Sequence, residues 1–160
     1  MIDIAALIRL LTEHDVEFVV IGGVAGAAHG SARATFDLDV VYRRSTANIE
    51  RLAKGLRAHS PYLRNAPPGL PFRFDSETIR RGLNFTLVTD LGPLDLLGEV
   101  AGGGTFEELL PHAVTMKVFG VRCLCLNLQR LIAVKRAAGR PKDFEAIAEL
   151  EMLLEKGAQS

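Results

Sequence analysis

The chain has 160 residues, 48% hydrophobic and 24% charged, with 19 Lys and Arg against 19 Asp and Glu. Those proportions exclude a disordered chain, and the length favours one domain able to bury roughly two-thirds of its unfolded surface. No apolar run approaches the ~20 residues of a membrane span, and MIDIAALIRLL lacks the basic leader of a signal peptide, so a cytoplasmic protein is expected.

Residues 2–13 place Ile4, Leu7, Ile8 and Leu11 at helical spacing, which predicts an amphipathic helix. Residues 16–21 read as a buried strand. A short helix of small residues follows over 23–29, with Gly30 as its C-cap. A second strand is expected over 36–42. Ser45 or Thr46 can cap a helix running to about residue 59, with Ile49, Leu52 and Leu56 on one face. Residues 60–82 contain Pro61, Pro67, Pro68 and Pro71 and read as a surface loop that ends in the helical turn SETIRRG. LNFTLVT and PLDLLGEV form a hairpin turning at Asp90-Leu91-Gly92. Residues 101–104 are a glycine-rich hinge, TFEELLPH a short helix, and AVTMKVF and VRCLCLN a second hairpin that turns at Gly120. Helices over 128–138 and 142–156, separated by Gly139-Arg140-Pro141, close the chain. One strand–helix–strand unit followed by hairpins predicts an α/β (α+β) fold, a small mixed sheet flanked by helices.

The stretch VVIGGVAGAAHGSARATFDLDVVYRR carries the chemistry. Residues i and i+2 of a strand share a face, so Asp37 and Asp39 stand side by side at the edge of an apolar core. Such a pair repels itself unless a cation lies between, and a divalent metal is the usual one. A glycine turn entering a helix offers backbone N–H groups to phosphate. The two features together point to chemistry on a nucleoside triphosphate. A metal cage needs a third carboxylate from a neighbouring strand, and Asp95 is the candidate, because Leu94 and Leu96 face the core and leave it on the other side. Asp90 reads as turn chemistry, and Glu99 lies near the strand end. Between Arg33 and Arg81 there are ten Lys and Arg against five Asp and Glu, a surplus compatible with phosphate or nucleic acid and equally with a solvated surface. Cys123 and Cys125 share one strand face without further soft ligands nearby, and read as reduced, structural thiols. His29 reads as a capping or surface histidine, and His14, His59 and His112 share no ligand spacing.

Gly22-Gly23, thirteen residues, then Asp37-Leu38-Asp39 resembles the signature of the DNA polymerase β-like nucleotidyltransferase superfamily. The fuller string, with Arg33 and Thr35 before the pair, and the C-terminal LIAVKRAAGRPKDFEAIAELE are similar to the AbiEii toxin branch of type IV toxin–antitoxin systems. This resemblance implies a nucleotidyltransferase-like fold, with residues 1–100 as catalytic core and 101–160 as C-terminal hairpin and helices. It implies metal binding by Asp37, Asp39 and Asp95, with Asp95 as ligand or as base, and contacts to the nucleotide from Gly22, Gly23, Arg33 and Lys135. It further implies Mg²⁺ or Mn²⁺, an NTP substrate, an acceptor hydroxyl such as an RNA or tRNA end, and an antitoxin partner. Where many relatives have Ser after the first Gly, this chain has Gly23 and Val24, so a hydroxyl contact to phosphate is missing unless Ser31 supplies it. Lys142 reads as solvated surface and Asp143 as an N-terminal helix charge.

A dinucleotide-binding Rossmann unit is set aside, because the glycines at 22, 23, 26 and 30 do not spell G-x-G-x-x-G. The competing reading is a non-catalytic nucleotide-sensing or protein-interaction module of a two-gene complex, which need not retain three carboxylates.

Overall fold

The computed structural model describes residues 2–159; residues 1 and 160, the ends of the expected span, lie outside it. Helix α1 (Ile4–Glu13) begins where the Asp3 carboxylate accepts the Ala6 N–H, and buries Ile4, Leu7, Ile8 and Leu11. Strand β1 (Phe18–Ile21) is buried at every position, as a central strand should be. It starts later than the apolar run suggests. Asp15 takes a left-handed conformation at φ 56°, Val16 N–H still bonds to Leu11 O, and the Glu17 N–H goes to the Asn48 side chain at 2.7 Å.

Helix α2 (Gly22–Ala28) leads by way of residues 29–37 to β2 (Leu38–Tyr42). The expected strand loses Phe36 and Asp37, because β1 ends at Ile21 opposite Asp39 and has no residue left to pair with them. The remaining helices of this half are α3 (Thr46–Leu56), capped by the Ser45 hydroxyl, and α4 (Ser76–Arg81), capped by Asp75. Between them the proline-rich segment contains β3 (Tyr62–Leu63), a strand too short to show any alternation in sequence. Strands β4 (Phe85–Thr89) and β5 (Gly92–Leu97) form the expected hairpin. Its turn is held by the buried Thr89 hydroxyl, which donates to Gly92 O and accepts from Leu91 N–H. The glycine-rich hinge is a ribbon of β6 (Glu99–Val100) and β7 (Gly104–Thr105), followed by α5 (Phe106–Leu109). Strands β8 (Ala113–Val118) and β9 (Val121–Leu126) turn at Phe119 and Gly120, both at positive φ. Helices α6 (Leu128–Ala138) and α7 (Asp143–Gln159) complete the chain.

The main sheet is mixed and has seven strands in the order β3-β4-β5-β2-β1-β9-β8. The β2–β5 and β1–β9 neighbours are parallel, and the other pairs are antiparallel. Helices α1, α3 and α4 pack in succession, and α2, α6 and α7 form a second group. The architecture is thus the α/β arrangement with helices flanking a mixed sheet. Among the described residues, no helix is long and apolar enough to cross a membrane.

Candidate functional site

Two parallel neighbours at the middle of the sheet bring the expected carboxylates together. Asp39 on β2 lies in register with Asp95 on β5, and Asp37 lies immediately before β2. In β5, Leu94 and Leu96 are buried in the core while Asp95 takes the opposite, half-buried face. One oxygen from each of Asp37, Asp39 and Asp95 lies within 4.8 Å of the others. Asp90 instead pairs with His59, and Glu99 is exposed on β6.

Gly22 makes room for this cluster. It has φ 69°, and a Cβ there would meet Asp39 Oδ2 at 2.1 Å, so neither the backbone nor the space admits a side chain. Gly23 turns elsewhere: a Cβ at this position would crowd the Thr35 hydroxyl at 3.1 Å, in the segment that leads into β2.

Charge is concentrated here. Burial pushes Asp39 from 3.8 up to about 8, reinforced by its hydrogen bond with Asp95 and the charges of Asp37 and Asp95, and opposed by Lys135. Asp39 Oδ1 is buried without a hydrogen-bond partner. The donors are all carboxylate oxygens, the kind that hard cations such as Mg²⁺ and Mn²⁺ take. A cluster of three carboxylates, one of them with a buried oxygen left unpartnered, fits a divalent ion.

The cluster adjoins a cavity of about 210 Å³, lined by Gly22, Asp39 and Asp95, by Leu131 and Lys135 of α6, and by Arg140 among others. A larger groove of about 380 Å³, lined by Glu17, Arg43, Phe106 and Arg122 among others, includes none of the three carboxylates. Arg140 forks onto Asp143 at 2.8 and 3.3 Å. Burial resists ionisation of Asp143, but the Arg140 hydrogen bond and the charges of Arg140, Lys135 and Lys142 outweigh it and hold its carboxyl below the usual range.

Of the expected nucleotide contacts, Gly22 and Lys135 line the cavity and Gly23 and Arg33 do not; Ser31, the possible substitute hydroxyl, does not either. Arg33 pairs with Glu145 at 3.2 Å and Glu149 at 3.8 Å on α7. Ser31 donates its hydroxyl to Glu149, which also accepts the Ala32 N–H. These contacts fasten the segment between α2 and β2 to the last helix. His29 is structural, its Nε2 lying 2.8 Å from Leu126 O. Burial pushes the free thiols of Cys123 and Cys125 up to about 11 and about 12, consistent with inert positions.

Two residues near the site are assigned no functional role from the sequence, Arg64 and Arg140, the latter read only as part of the break between helices. Arg64 follows β3 and places its guanidinium 2.8 Å from Asp95 Oδ1 and 4.0 Å from Asp37 Oδ2. No periodicity points to it, since the approach depends on strand pairing across the sheet. Arg140 stands in GRPKD between Lys135 and Asp143, and the i,i+3 spacing to Asp143 is the signal that could have found it.

No family model matches the chain, and no curated protein matches it. Among solved structures, a Thermotoga maritima protein provisionally described as a nucleotidyltransferase aligns over 100% of this chain and 97% of its own, at 14% identity and a TM-score of 0.49. Similarity at that level is too slight to equate residues of the two proteins.

Proposed function

We propose that this chain is a metal-dependent nucleotidyltransferase, which moves a nucleoside monophosphate from an NTP to an acceptor hydroxyl and releases pyrophosphate. The observation that carries this reading is the meeting of Asp37, Asp39 and Asp95 within 4.8 Å, with Asp39 and Asp95 lining a cavity that also has basic groups. In this reading the three carboxylates hold the ion. A divalent ion bound there would neutralise triphosphate charge and lower the pKa of the attacking hydroxyl.

The chain's own residues supply the rest. Lys135 and Arg140 line the same cavity as Asp39 and Asp95, suited to the phosphates and to the charge that builds up on departing pyrophosphate. Gly22, bare beside Asp39, leaves the approach open. The acceptor oxygen bonds to the α-phosphorus, the bond from that phosphorus to the bridging oxygen breaks, pyrophosphate leaves, and the hydroxyl proton passes to solvent water. The acceptor put forward is an RNA end, on the strength of the resemblance to the toxin branch, with an antitoxin as the corresponding partner.

Isothermal titration with each NTP, with and without Mg²⁺, tests the reading when repeated on Asp39→Asn. Metal-dependent binding that the substitution abolishes is the expected result, followed by transfer of labelled NMP to RNA. Absence of NTP binding in the presence of Mg²⁺ would overturn it.

A further inference from the structure

We propose that Arg64 is the resident counter-cation of the carboxylate cluster, and that a divalent ion binds by displacing its guanidinium from Asp95. This inference rests on the metal-site reading above and adds to it a residue that must move.

Strand pairing delivers Arg64 to the cluster. Tyr62 and Leu63 pair with Val88 and Leu87, and the next residue continues the ladder, with the Arg64 N–H bonded to Thr86 O at 3.0 Å. Thr86 is the register partner of Asp95, and Asp95 that of Asp39. Arg64, Thr86, Asp95 and Asp39 therefore form one row across four neighbouring strands, where side chains of a row project from the same face. Thr86 is short and exposed, so the long arginine can pass over it to Asp95.

The guanidinium is held by two contacts from one nitrogen. Its Nη2 donates to Asp95 Oδ1 and to Leu87 O, both at 2.8 Å, and its Nη1 lies 4.0 Å from Asp37 Oδ2. The Arg64 and Asp95 side chains are only 23% and 21% exposed, so solvent screens the pair weakly. Yet the fork is incomplete, because Nε is buried without a partner.

Competition follows from charge and space. A divalent ion bound to an Asp95 oxygen approaches to roughly 2 Å, and would share that carboxylate with a guanidinium donating to it. Two cations on one half-buried carboxylate repel strongly. The bond to Leu87 O gives the guanidinium a place to remain close by after it leaves Asp95. Without metal, Arg64 offsets part of the repulsion among the three carboxylates; with metal, that role passes to the ion.

The test is calorimetric titration with Mn²⁺ alone, on the wild-type chain, Arg64→Gln and Arg64→Met, together with thermal melting with and without Mn²⁺. Both neutral variants should bind Mn²⁺ about tenfold more tightly or better. They should also melt lower than wild type without metal, and recover more on adding it. Arg64→Lys, which keeps the charge, should stay within about threefold of wild type. If wild type binds Mn²⁺ and loses it on Asp39→Asn, but the neutral variants bind no tighter, the counter-cation role falls while the metal site stands. If no form binds Mn²⁺, both fall. A neutral variant that is unfolded without metal must refold on adding Mn²⁺, and failure to do so would overturn the proposal.

Discussion

Asp39→Asn should stabilise the metal-free protein, and do so increasingly as pH rises. Burial and the neighbouring carboxylates raise Asp39 from 3.8 to about 8. The folded protein therefore holds this proton more tightly than the unfolded chain does, and folding takes up a proton between the two values. Stability consequently falls as pH rises through that window and levels off above it. Each tenfold difference in proton affinity is worth about 1.4 kcal/mol, so the penalty at about pH 7 reaches about 4 kcal/mol. Asparagine copies the protonated acid: it is neutral, and its amide can donate to Asp95 as the shared proton does. Urea denaturation in chelator, from about pH 5 to about pH 8, should show the stability gap between variant and wild type widening by about 4 kcal/mol. Parallel pH profiles for the two proteins would refute the claim that Asp39 is held neutral by burial beside Asp37 and Asp95.

Gly22→Ala would place a methyl 2.1 Å from Asp39 Oδ2 at a positive φ; a loss of about 2 kcal/mol or more is expected by urea denaturation, with Mn²⁺ binding abolished by titration. Lys135→Met should weaken NTP binding about tenfold in the presence of Mg²⁺, without lowering Mn²⁺ affinity, because Lys135 faces the cavity rather than ligating. Asn48 is fully buried, and its side chain bonds to Glu17 N–H, Glu17 O and Arg43 O. Asn48→Ala should therefore cost about 3 kcal/mol in a denaturant titration while leaving Mn²⁺ affinity unchanged.

The parts of the fold and site that are legible in sequence are those fixed by local rules. Alternation in GPLDLL puts Asp95 opposite Leu94 and Leu96, whereas Asp37 joins Asp39 and Asp95 from just before β2, outside the strand whose alternation suggested it. The cap of α3 and the turn at Gly120 are readable for the same reason. What is not legible depends on contacts between distant segments. Strand β3 has only two residues and exists because β4 offers it an edge. Arg64 reaches Asp95 only through that pairing. Arg33 sits four residues before Asp37 in sequence, but Glu145 and Glu149 draw it to α7, a docking that no short motif encodes.

The same logic resolves the basic surplus of the middle segment. Its arginines do not form a free patch awaiting an acidic partner. Arg43 and Arg51 converge on Glu17 from the segment before β1, and Arg43 also reaches Glu107 of α5. Arg33 meets two acids of α7, Arg64 meets Asp95, and Arg80 and Arg81 share Glu77. Arg44 donates to Tyr42 Oη and to the carbonyls of Ile79 and Arg80. Arg33, Arg43, Arg51 and Arg64 thus meet acids of the flanking segments, charges divided by the sequence and rejoined by the fold. Regional charge therefore gives little warrant for a nucleic-acid surface here. The warrant for a function lies instead where Asp37, Asp39 and Asp95 meet, since the buried Asp39 Oδ1 without a partner is a cost that packing alone does not explain.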